Sequence, residues 1–141
     1  SNNETALMQA ARDGETVFCR ELVFAGASLD LTNKDGNNAL WMACQGGKTA
    51  IARLLLDNDI NFDNQNDHGA TALIYAASLG RADLIDVLVT AGADTGLMTL
   101  DGFTALDVAA SRQTLLQLAH ACGQLLSTRH SAFARRERHV A

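Results

Sequence analysis

A 33-residue period runs through most of this 141-residue chain: Gly36, Gly69 and Gly102 each open a near-copy of one unit, and Thr5, Asn38, Thr71 and Thr104 keep the same spacing. A unit this short cannot bury its own apolar face. Copies must therefore stack side by side, and the product is an extended surface instead of an enclosed pocket. Surfaces of that kind bind other macromolecules.

The copies agree closely. Asp35-Gly36-Asn37-Asn38-Ala39-Leu40, His68-Gly69-Ala70-Thr71-Ala72-Leu73 and Asp101-Gly102-Phe103-Thr104-Ala105-Leu106 align, and Glu4-Thr5-Ala6-Leu7 starts the chain without its own leading glycine. The Thr or Asn before each Ala-Leu pair is an N-cap, whose side-chain oxygen accepts a free backbone N–H of the first turn. First helices are therefore predicted to start near Ala6, Ala39, Ala72 and Ala105, and Gly14, Gly47 and Gly80 to stop the first three. A second helix follows in each unit, carrying Phe18 and Leu22, then Ile51, Leu54 and Leu55, then Leu84, Val87 and Leu88. Asn and Asp around the leading glycines have turn chemistry and predict hairpin-like links.

These runs, over roughly residues 4–123, resemble ankyrin repeats. The resemblance implies an all-α ankyrin-repeat solenoid of stacked helix-turn-helix units with short hairpin-like fingers. The approximate units are 1–34, 35–67, 68–100 and 101–126, followed by a basic C-terminal tail over 127–141. The chain departs from the family's pattern in two ways. Ala stands where Pro usually opens the first helix, and Met8, Trp41, Ile74 and Asp107 stand where His is usual, so apolar packing is expected to replace a histidine network. Trp41 is read as packed rather than binding. In the fourth unit Gln113 replaces the expected Gly, and Leu115, Leu118 and Ala119 repeat the spacing of Ile51, Leu54 and Leu55 two residues early, which predicts a shortened turn. Gly123 is expected to end the last helix.

Charge divides the chain. Residues 1–126 hold seven Lys or Arg against fifteen Asp or Glu, while 127–141 hold four Arg against one Glu, and the two parts sum to −5. An acidic body repels phosphate backbones, so nucleic acid is disfavoured as the main ligand. The tail, with Arg129, Arg135, Arg136 and Arg138, is either a solvated segment or a contact for nucleic acid or an anionic membrane.

Chemistry is sparse. Cys19, Cys44 and Cys122 contain no C-x-x-C and are expected to be buried free thiols. Gly46-Gly47-Lys48-Thr49 echoes a phosphate loop but lacks its upstream glycine, and the repeat already accounts for Gly47. An enzyme, a metal and a cofactor are all unexpected. No apolar run is long enough to span a membrane. A cytoplasmic monomer is expected, although the start at Ser1 leaves a tag scar or a removed leader open.

A non-catalytic protein-binding module is therefore expected, acting as an inhibitor or adaptor on a protein partner with a basic surface. The ankyrin resemblance implies that partners are met by the concave face of the first helices and by the fingers. Carried onto this chain, the sites are Met42, Gln45, His68, Tyr75, Leu79, Phe103, Val108 and Arg112. Met42, Tyr75, Leu79 and Phe103 are the candidate anchors, with an acidic rim of Asp35, Asp67 and Asp101. Met42 and Tyr75 serve equally well as covers for neighbouring repeats.

Overall fold

Four side-chain oxygens start four helices. Thr5 Oγ1, Asn38 Oδ1, Thr71 Oγ1 and Thr104 Oγ1 accept the backbone N–H groups of Met8, Trp41, Ile74 and Asp107 at 3.1, 3.2, 3.2 and 3.3 Å. The computed structural model describes residues 3–123. The helices in order are α1 (Ala6–Asp13), α2 (Thr16–Phe24), α3 (Ala39–Gln45), α4 (Thr49–Asp57), α5 (Ala72–Ser78), α6 (Ala82–Ala91) and α7 (Ala105–Val108). A last helical segment covers 112–123, and no strand occurs among the described residues.

Odd-numbered helices pack on odd-numbered neighbours and even on even, which gives two layers. Leu7, Leu40 and Leu73 from one layer meet Ile51, Leu55, Leu84 and Leu88 from the other, all almost fully buried. Ala10, Ala11, Ala43, Cys44, Ala76 and Ala77 are buried between them, because small side chains let helix backbones approach closely. At the ends of α3 and α5, the N–H groups of Gly47 and Lys48, then Gly80 and Arg81, return to carbonyls of the last turn. Gly47 and Gly80 hold φ of 69° and 68° there, a left-handed turn that reverses the chain into the next helix.

One such position lacks a glycine. After α4, Asp59 takes φ 65°, where the corresponding turns after α2 and α6 use Gly26 and Gly92. Asp59→Gly is expected to raise the unfolding free energy by about 0.5–1 kcal/mol by relieving that strain. Urea denaturation checks this, and a loss of stability would contradict the reading.

The fingers are tied by main-chain and amide bonds. Asn33 Oδ1 accepts from the N–H groups of Asp35 and Asn37, and Asn66 Oδ1 from those of His68 and Ala70; Thr99 Oγ1 takes the place of these amides by accepting from Phe103. Neighbouring fingers join where Asp67 N–H donates to the Asp35 carbonyl at 3.0 Å and Leu100 N–H to that of His68 at 2.9 Å. Asn66 Nδ2 also donates to Asn37 Oδ1 at 2.9 Å.

The fourth unit changes register, by three residues instead of two. α7 stops at Val108 because Ala109 turns extended, and Ser111 caps the next helix by exchanging hydrogen bonds with Thr114. Thr114 and Leu118 then take the buried places of Ile51 and Leu55, while Leu115 and Ala119 are exposed. The four-residue spacing on the core face is kept, and the turn has lost three residues. Gly123 does not end this helix within the described residues, since it is itself helical. The basic tail lies outside the described residues.

Candidate partner-binding surface

The first helices end side by side, and what stands at each end differs. Unit one places Arg12 and Asp13 there, unit two Gln45 and Gly46, and unit three Ser78 and Leu79. Arg12 is occupied: its Nη1 lies 2.8 Å from Glu4 Oε1. Gln45, Ser78 and Leu79 are exposed, with Ser78 Oγ donating to the Tyr75 carbonyl at 2.7 Å. Leu79 caps α5 and lines an open recess of about 360 Å³ with Gly47, Thr49, Arg81, Asp83 and Leu84.

The cation in this recess has a structural origin. A Cβ on Gly47 would lie 2.6 Å from Arg81 Nη1, and one on Gly14 2.7 Å from Lys48 Cε, so each basic side chain lies over the preceding unit's helix stop. There it faces the negative end of a helix dipole. A second recess, lined by Arg53, Leu56, Asp57, Asp86, Val87, Thr90 and Ala91, opens between α4 and α6 on the other layer.

Several expected site residues are placed elsewhere. Met42 is only 2 % exposed, so it is core and no anchor. Tyr75 is half-buried, with its ring stacked on Trp41 at a centroid distance of 4.2 Å and an interplanar angle of 10°, so both rings join units two and three. Val108 is half-buried and packs against the core. Arg112 is exposed, but it opens the 112–123 helix instead of closing α7. The Ala110 N–H donates to the Ala77 carbonyl at 3.0 Å, which brings this corner beside the end of α5.

Phe103 is 50 % exposed, and no further finger covers it among the described residues. The equivalent Asn37 is buried under the next finger and Ala70 is half-buried. The ladder of main-chain bonds holds the side chains of Asp35, Asp67, His68, Leu100 and Asp101 exposed along the finger tips. Sequence reasoning missed Arg81 and the Trp41–Tyr75 stack. Their signal was a basic residue one place after Gly47 and Gly80, and an aromatic pair 34 residues apart, one more than the period.

Of the three free thiols expected to be buried, Cys19 and Cys44 are, while Cys122 is half-buried. Burial pushes the Cys44 thiol up to about 12, with Arg81 pulling slightly the other way, and burial followed by Glu15 raises that of Cys19. Cys44 ionises near its ordinary range only when unfolded. As pH rises through about 9 towards 12, the unfolded state therefore gains about 1.4 kcal/mol per pH unit, and below about 8 nothing is gained. Stability is expected to fall more steeply above pH 9 in the native chain than in Cys44→Ala, as read by chemical denaturation. Parallel pH profiles would contradict it.

Among the described residues, no three His, Cys, Asp or Glu side chains come together as metal ligands, and no helix is long and apolar enough to cross a membrane. A search of curated proteins returned no match. Residues 7–99 match the family model for ankyrin repeats in three copies, and the match stops short of the fourth unit. Ankyrin repeats are in general protein–protein interaction modules and typically non-catalytic. Because the match covers well over half of the 141 residues, and caps, helix pairs and fingers recur in the structure at the same spacing, the chain belongs to the ankyrin repeat family.

Proposed function

We propose that this chain is a non-catalytic module that binds a protein partner across the helix ends and finger tips of units two to four. It would act as an inhibitor or adaptor. Leu79 carries the reading: an apolar side chain left 43 % exposed beside a recess that Thr49, Arg81 and Asp83 also line. An apolar anchor with a polar rim is the usual anatomy of an interaction surface. His68 and Phe103 extend it along the fingers.

Charge narrows the partner. Asp35, Asp67 and Asp101 stand exposed along the finger row against Lys34 and His68, so a basic surface is favoured and a phosphate backbone is not. Exposed charges of this kind act mainly on association rate, which is expected to fall as salt rises. The test is capture of a partner by the native chain and by Leu79→Glu/Phe103→Ala, with folding checked by circular dichroism. Capture that survives the double substitution would move the site elsewhere.

A further inference from the structure

Along the finger row, each finger offers the next a main-chain carbonyl: Asp35 accepts the N–H of Asp67, and His68 that of Leu100. Side chains on the same edge also reach forward, Asn37 Oδ1 to Asn66 Nδ2 at 2.9 Å and Gln65 Nε2 to the Met98 carbonyl at 3.1 Å. In the third finger these three places are held by the Asp101 carbonyl, Phe103 and Met98. No donor reaches that carbonyl among the described residues, and Met98 is 53 % exposed. Apolar side chains thus stand on an edge whose main chain is unpaired, which is a template for one more segment of chain.

The chain itself supplies a segment at the right distance. Fifteen residues separate Leu22 from Asn37, Leu55 from Ala70 and Leu88 from Phe103, and the same count from Leu118, which fills the place of Leu55, arrives at Phe133. We propose that residues 129–136 lie across this edge in cis, with the His130 N–H donating to the Asp101 carbonyl and Phe133 against Met98 and Phe103. By the same register His130 takes the place of Asp67 and Leu100, and Ala132 that of the left-handed Gly36, Gly69 and Gly102. Alanine avoids a positive φ, so the segment crosses the edge extended and does not close as a fourth finger. Charge favours the same occupant, since Arg129, Arg135 and Arg136 approach a row in which the carboxylates of Asp67 and Asp101 are exposed. This contact does not require the partner surface around Leu79, and a partner that reaches Phe103 must displace it.

Oxidation of the full chain by dilute hydrogen peroxide, followed at each methionine by peptide mass spectrometry, tests this. Methionine reacts according to its exposure, and the chain holds only Met8, Met42 and Met98, of which the first two are buried and report on folding. Phe133→Ser is expected to speed oxidation of Met98 at least about fivefold and Arg129→Glu at least about twofold, with Met8 and Met42 unchanged. Phe133→Leu should keep most of the protection, because the place asks for an apolar side chain. Equal Met98 rates in the native chain and in Phe133→Ser or Arg129→Glu overturn the contact and leave the edge to a separate partner. Protection of Met98 that grows with protein concentration overturns the contact in cis and gives the edge to a second copy. No outcome requires a partner to be present, so a failure here is distinct from a failure of the Leu79 surface.

Discussion

Gly46→Ala is expected to destabilise the fold by about 2–3 kcal/mol, although Gly to Ala at the end of a helix is ordinarily neutral or favourable. Gly46 closes α3 with φ −79°, a conformation open to any residue, so the requirement for glycine is steric. A Cβ there would sit 2.2 Å from the Arg12 carbonyl oxygen and 3.1 Å from its carbon. Both are backbone atoms of the preceding unit, so relief requires separating α1 from α3. Leu79 adopts nearly the same conformation in unit three, φ −91°, and accommodates a large side chain beside its recess. The two inter-unit junctions therefore differ in what they admit. Urea denaturation of Gly46→Ala beside the native chain reads the effect, and unchanged stability would show that units one and two are not held this closely.

Leu55→Ala is expected to cost about 3 kcal/mol. Leu55 is 0 % exposed in α4, at the position that Leu88 fills in α6, and the cavity left by truncation has no room to collapse between flanking units. In a stack, each unit is stable only through its neighbours, so damage in the second unit weakens contacts on both sides. Leu22, at the same position in unit one, is only half-buried, and its truncation should cost distinctly less. Equal losses at Leu22 and Leu55 would contradict this account of how the stack holds together.

What was legible in the sequence was local. A cap, a helix stop and an apolar period act within one unit, so Thr5, Asn38, Thr71, Gly47, Gly80, Leu40 and Leu73 fell where the spacing put them. What was misread depends on the adjoining unit. Met42 and Tyr75 occupy equivalent places, yet one is core and the other half-buried under a ring stack, because different residues stand opposite them. Phe18 is exposed whereas Ile51 and Leu84 are buried at the same position, a difference between units that periodicity cannot express. In the fourth unit the apolar spacing of Leu115, Leu118 and Ala119 was real, but Thr114 buried its hydroxyl against Ser111 and took the core place that a hydrophobicity pattern assigns to leucine.

The central claim is that the helix ends and fingers of units two to four form the partner surface. The most direct measurement is the affinity of one captured partner for the native chain, for Leu79→Glu, and for Asp86→Ala, which alters the recess between α4 and α6 on the other layer. Leu79→Glu should weaken binding at least about tenfold and Asp86→Ala should leave it within about twofold. Full affinity in Leu79→Glu, or the greater loss in Asp86→Ala, would contradict the account.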